Sequence, residues 1–536
     1  MAFSFHSTPR WVLALVIFCV THTVEGISHA TEIIKPTFFF SPLAHCALQS
    51  RYQHKNEGAA GFHVQATPFI TKNFSKQFIG AGLGAAETNK FTVVPSAQQG
   101  SVDSDHLIAV LTKNDTLTLQ TINETVHRPQ ATIAINPEHQ DIGVTLILRH
   151  DLDAFFEGLF YSVEVSLIEQ TRTLNPTYQN ELTPKVDTSD IISVHEYFSG
   201  MPQSIYDALA TLKLSDSPKS QHGCDVVQAT IGYHVLDKND YRFTILGSMQ
   251  LPCGPDKSLE YLFAPNVGVR HLNFGLGWHG HIKLAGNKTT TWCLSNIAMG
   301  AYNFPKDQAR IPSISTSPWA HYYQTQADKT PKYYTLTPGS DVLPHVVKVK
   351  QGLSLQDTFM ISYTHKETSI DVGFSAAYRE AEHNTLSSPW PDGTYAIANR
   401  YLNPFNPTGA SNAPTNQAFL VAGKMYPSTT GQLPESLTTQ TFTLGTDGSG
   451  IPIAMTPVTS GAWAQNMATK VINNTDLCFN QPTVFFYQVF ASFARTFKPT
   501  TSSEVSINAG CNIAFGQPQE LLMKTYQMWV GLGASF

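Results

Sequence analysis

Few side chains in this sequence stand at spacings that could do chemistry. His279 and His281 are two residues apart, with His271 nearby. On a strand, residues two apart face the same way, and imidazoles so placed can share a metal ion. Glycines flank them at Gly277 and Gly280. Beside those glycines they read as two polar residues on one face of a strand, with no metal and no cofactor assigned. Arg149 and Glu164 fall on the polar faces of neighbouring strands and form a candidate charge pair. Asp371 and Arg379 fall on the polar face of a later strand. His195-Glu196 lacks the second histidine of a zinc-protease helix, and no G-x-S-x-G, phosphate-loop or dinucleotide motif occurs. With nothing to fix the geometry of a reacting set, the chain reads as a protein that is not an enzyme.

The elements that must position these residues are strands. Charged residues make up 14% of the chain, against roughly 25% in ordinary soluble domains. Mean hydropathy is −0.13, too polar for a bundle of membrane helices. It suits strands that turn one face to lipid and the other to a lumen. A net charge of −6 offers no basic face, so no nucleic-acid partner is expected. Residues 1–30 read as a signal peptide: Arg10, then the apolar run Trp11 to Val20, then a cleavage site near Ala30. The run is too short to span a bilayer as a helix. Six cysteines follow: Cys46, Cys224, Cys253, Cys293, Cys478 and Cys511, with no C-x-x-C pair.

Period-two alternation recurs from Asp141 to the end. Val227, Ala229, Ile231, Tyr233 and Val235 run to a turn at Lys238-Asn239-Asp240, and Tyr241, Phe243, Ile245, Met249 and Leu251 return. Similar hairpins turn at 285–288, 364–369 and 497–503. Connections alternate between short and long, with the long ones at 171–225, 252–272, 303–355 and 380–483 and one short exception on the long side at 516–523. A two-sheet sandwich gives no reason for that segregation, whereas membrane barrels have short turns at one end and long loops at the other. The count is eleven strands from Asp141 onward, with Gln130 to Asn136 as a twelfth through an outer turn at 137–140. The fold expected is all-β, a transmembrane antiparallel up-and-down barrel of 12–14 strands. Residues 31–127 would be a plug or the first strands, and residues 128–536 the barrel. The lumen-facing candidates are Arg149, Glu164, His279, His281, Asp371 and Arg379, joined by Gln228, Thr230 and Asn508. Val227, Ile231, Tyr233, Ile245, Ile361, Val372, Val489, Ile507 and Val530 are expected to face lipid. A helix is expected near Pro202 to Leu212. A disulfide is expected between Cys224 and Cys253, at the outer end of one hairpin where Pro252 ends the ladder.

The last strand places Tyr526, Met528, Val530, Leu532, Ala534 and Phe536 on one face. This pattern, ending on an aromatic residue, resembles the closing strand of Gram-negative outer-membrane β-barrel proteins. The resemblance implies export to a bacterial outer membrane, contact with its lipid, and recognition by the barrel-assembly machinery. Fatty-acid transporter barrels and chlamydia-like major outer-membrane porins are loosely similar, with no motif that assigns either. The function expected is a porin or a channel for small solutes. The alternatives are a structural or adhesive surface protein whose outer loops bind a partner, and a secreted eukaryotic β-rich glycoprotein using sequons such as Asn73 and Asn287.

Overall fold

The computed structural model describes residues 61–74, 90–93, 130–181 apart from 154 and 176, 213–314 apart from 214, 216, 239, 256–258, 262 and 288, then 324–326, 336–397, 400–401, 417–421, 424–428, 442–446, 452–455, 470–498, 503–517 and 523–536. The signal peptide, Cys46 and the helix expected near Pro202 lie outside these.

Twelve antiparallel strands close on themselves in sequence order, each paired with its chain neighbours. They are β1 (Phe62–Asn73), β2 (Glu138–Asp151), β3 (Leu159–Thr173), β4 (Lys219–Asp237), β5 (Tyr241–Leu251), β6 (Asn273–Gly286), β7 (Thr290–Asn303), β8 (Gly352–His365), β9 (Thr368–Arg379), β10 (Val484–Phe497), β11 (Glu504–Gln517) and β12 (Thr525–Ser535). The lengths, 11–19 residues, exceed the five or six usual in globular sheets and meet the 9–11 a tilted strand needs to cross a bilayer.

Alternation along each strand sets the two faces. On the outside stand Ile231, Ile245, Ile361, Val372, Val489, Ile507 and Val530, each 45–56% exposed. Their inward neighbours Gln228, Thr230, Asp371, Ser492 and Asn508 are buried. Tyr241, Trp292 and Tyr363 lie outside near the short-turn end, and Tyr302, Tyr378 and Tyr487 near the other. An apolar outer belt between aromatic bands is the surface of a barrel that crosses a membrane with its strands. Closure leaves no strand edge, so every ladder donor in the apolar medium has a partner strand.

Closure is completed by the two ends of the barrel sequence. β12 pairs with β1 along His63 to Asn73, and the Phe536 N–H donates to the Phe62 carbonyl at 2.9 Å. The first barrel strand, Phe62–Asn73, therefore lies within the 31–127 segment expected to be a plug or the first strands, ahead of the boundary set at 128. Alternation at 62–73 is disguised by Pro68 and by inward-facing Phe69. The β1–β12 ladder runs Ala66↔Leu532 and resumes at Phe69↔Trp529, so Pro68 lies in the gap. A proline costs little there, since it has no donor to lose.

Gln130–Ala134 is not the barrel strand expected of it. It pairs with Lys90–Val93 and Thr177–Glu181 in a separate three-stranded sheet. The expected turn at 137–140 is instead the start of β2, which pairs β3 from Glu138↔Thr173 onward. Among connections between strands, those at one end are 152–158, 238–240, 287–289, 366–367 and 498–503. Those at the other are 74–137, 174–218, 252–272, 304–351, 380–483 and 518–524.

Two of the long connections interlock. Lys306–Arg310, His345–Lys350 and His383–Leu386 form one sheet, and Ser313–Ile314 pairs with Leu477–Cys478. The Trp390 indole donates to the Ile472 carbonyl at 2.9 Å. Two sequon asparagines serve the backbone: Asn73 Oδ1 accepts from the His139 N–H at 2.7 Å, and Asn287 Oδ1 from the Thr289 and Thr290 N–H groups at 2.9 Å.

Candidate functional site

The inner wall is the candidate site, and its polar side chains are tied across strands. Gln250 Nε2 donates to Gln228 Oε1 and Asn273 Nδ2 to Gln250 Oε1, both at 2.8 Å, linking β4, β5 and β6. Thr145 and Ser166 hydroxyls meet at 2.8 Å, and those of Thr358 and Ser375 at 2.9 Å. Buried polar groups carry a large cost when unpaired, so such ladders fix the rotamers of the lining.

Each candidate residue has a definite place on this wall. Arg149 is 3% exposed, makes an ion pair with Asp151 at 3.1 Å, and lays its guanidinium 3.8 Å from the centre of the Phe160 ring. Glu164 faces inward one strand away, opposite Ile147 and Gln228. Arg149 itself stands opposite Ser162. Asp371 is buried and accepts from Ser492 Oγ at 3.0 Å. Arg379 ends β9 at the long-loop end and donates to Gln481 Oε1 at 3.0 Å. His279 is buried opposite Thr244 and Ile297, and His281 Nδ1 meets Ser295 Oγ at 2.9 Å.

The third imidazole is not brought to them. His271 precedes β6 at the long-loop end, with Nδ1 2.9 Å from the Phe304 carbonyl and Nε2 2.8 Å from Gln308 Nε2. Burial pushes its pKa below the ordinary range. It docks the 304–351 connection onto the rim. Among the described residues no set of three or more His, Cys, Asp or Glu side chains converges as a metal site. Close by, Arg310 meets Glu382 at 3.4 Å, joining the two interlocked connections. Burial lowers the Arg310 pKa and the Glu382 charge opposes that shift.

Cys224 and Cys253 are free thiols, so the expected disulfide is not formed in this structure. The Cys253 thiol donates to the Cys224 carbonyl at 3.3 Å. The register after Pro252 explains the difference. The Cys253 N–H turns to the Val269 carbonyl, and β4 bulges at Asp225. Burial and the neighbouring Cys224 thiol push the Cys253 pKa up to about 12.

Sequence reasoning missed the apolar part of the inner wall. Ile147, Phe160, Leu246, Ile297 and Met299 form one buried cluster, and Met360, Phe490 and Trp529 another with Phe69 against it. Several bulky members stand opposite a glycine: Phe160↔Gly232, Leu246↔Gly277, Phe490↔Gly373, Trp529↔Gly510 and Phe69↔Gly143. A Cβ on Gly232 or Gly373 would overlap the Cζ of the facing ring. The glycines are recesses into which aromatic rings lie flat. The signal available in the sequence is an inward aromatic with glycine at the opposing register position.

No protein-family model matches the chain. No curated protein is significantly similar to it in sequence. Among solved structures, an outer membrane channel from Pseudomonas putida F1 is 8% identical, with 90% of this chain and 97% of that chain covered and a TM-score of 0.33. The transport unit of the autotransporter AIDA-I from Escherichia coli is 7% identical, covering 92% and 97%, with a TM-score of 0.26. A Pseudomonas aeruginosa FadL homologue is 8% identical, covering 89% and 90%, with a TM-score of 0.26. Likeness at that level assigns neither family nor cargo.

Proposed function

We propose that this chain is an outer-membrane channel for small solutes, either a porin or a substrate-specific barrel. One observation carries the reading: a closed barrel with an apolar belt outside and, inside, a wall of hydrogen-bonded polar side chains such as Gln228, Gln250, Thr358 and Asp371. A polar inner wall serves a protein that lets water or solute enter the barrel. Arg149, Glu164, His279, His281, Asp371 and Arg379 are the lining positions at which substitution should change selectivity. Export behind the 1–30 signal peptide, and assembly through the terminal strand ending in Phe536, belong to the same reading.

The interlocked connections at 304–351 and 380–483 favour a second reading, a sealed barrel that presents those loops to a partner. Planar-bilayer recording of the purified chain separates the two. Discrete conductance steps that Asp371→Asn or Arg149→Gln alters support the channel. A silent, stably inserted barrel rejects it in favour of the loop-presenting protein.

A further inference from the structure

The outer wall of β6 to β9 carries a polar island. Among the described outward-facing residues of these four strands between the two aromatic bands, Asn296 supplies the only side-chain amide and Asp357 the only carboxyl. They touch. Asn296 Nδ2 donates to Asp357 Oδ1 at 2.5 Å and to the Thr358 carbonyl at 3.3 Å, and Asn296 Oδ1 accepts from the Trp278 indole at 3.1 Å. The island sits at mid-depth, since Asn296 is four residues from Trp292 at one band and six from Tyr302 at the other. Around it the wall is low: Gly280 is opposite Asn296, Ala298 is opposite both Trp278 and Asp357, and Ala376 is opposite Asp357.

Facing lipid alone is an expensive position for a carboxyl, and ionisable groups at that depth normally face protein. Small residues around a polar group let another backbone approach closely. The amide of Asn296 is already spent within the chain, on Asp357 and Thr358 through nitrogen and on Trp278 through oxygen. The half-buried carboxyl is therefore the group that can reach outward. At a twofold axis a residue meets its own copy. Two carboxyls are self-complementary there, because two acids held together share a proton and cannot both ionise. No donor from another protein is required.

We propose that the outer wall of β6 to β9, centred on Asp357, is the contact between two copies of this chain in the membrane. The contact lies outside the pore, so it stands apart from the channel reading and needs only the outward direction of these side chains.

The test uses the full chain reconstituted in phosphatidylcholine vesicles, with donor- and acceptor-labelled pools and energy transfer measured over a range of protein-to-lipid ratios. The wild type should associate. Asp357→Leu should raise the dissociation constant about tenfold. Asp357→Asn, whose amide also pairs with itself, should keep the pair. The Val530→Leu control on the far wall should not change it. Each variant is first shown to be a folded barrel by its faster migration when unheated, and its conductance should match the wild type. A wild type that stays monomeric at every ratio overturns the proposal, as does an association that Asp357→Leu leaves unchanged.

Discussion

Val372→Arg tests the two-faced wall at its most sensitive point. Val372 is 53% exposed and sits opposite Ile361 on one side and Ala491 on the other. It is six residues from Tyr378 in the outer aromatic band. At a rise of ~3.3 Å per residue and a tilt near 40° that is about 15 Å of depth, close to the middle of a ~25 Å apolar band. Arginine at the midplane of a lipid face costs roughly 2–4 kcal/mol. At 1.4 kcal/mol per decade, that is about a 30- to 700-fold loss in the folded-to-unfolded ratio. The assay is equilibrium unfolding by guanidinium in lipid vesicles, followed by tryptophan fluorescence. The next residue is the control. Asp371 faces inward and accepts from Ser492 Oγ, a role the amide oxygen of Asp371→Asn retains, so that variant should lose about 1 kcal/mol or less. An unchanged midpoint for Val372→Arg would refute the register, because a one-residue slip turns every side chain to the other face.

Gly232→Ala should destabilise the barrel by about 1–3 kcal/mol through overpacking, since its Cβ would overlap Phe160 Cζ. Adding Phe160→Leu should recover part of that loss in the same unfolding assay. A Gly232→Ala loss of the same size with and without Phe160→Leu would contradict the recess. The dock between His271 and Gln308 should weaken in acid. Burial holds the His271 pKa below its unfolded value, so its contribution is complete above about pH 6.5 and is lost as pH falls through that value toward the depressed one. The protection factors of amides across 304–310, with the intrinsic pH dependence of exchange divided out, should therefore fall between about pH 7.5 and pH 5, and His271→Asn should flatten that dependence; pH-independent protection in the wild type would contradict it. Native Cys253 should resist iodoacetamide near pH 8, its thiol being pushed up to about 12, and peptide mass spectrometry should recover both Cys224 and Cys253 alkylated after unfolding. A linked peptide pair would show that the free-thiol arrangement is wrong.

The features legible in the sequence are those with a period. Along β4 and β5 the alternation specifies both the faces and the register, Val227↔Leu251 to Tyr233↔Ile245. It fails one step further, where a bulge at Val235 pairs Leu236 with Phe243. Loop parity holds because it depends only on counting hairpins. Alternation cannot say which sheet a strand joins, and so Gln130–Ala134 reads as a barrel strand while β1, marred by Pro68 and Phe69, escapes notice. The inner surface is harder. Binary patterning treats an inward aromatic as an error, whereas Phe160, Phe490 and Trp529 are accommodated by glycines that only cross-strand register brings opposite them. Asp357 and Asn296 are likewise ordinary polar letters until the register sets them side by side on the lipid face.

Twelve strands close into a barrel whose outer face meets lipid. Semi-native electrophoresis of the full chain, refolded into lipid vesicles and run with and without boiling, tests it most directly. A compact, faster-migrating band before heating should convert to the 59.0 kDa position after boiling, because a barrel with no free edge resists unfolding by detergent. A chain that migrates identically in both lanes and stays in the supernatant when the vesicles are sedimented would contradict it.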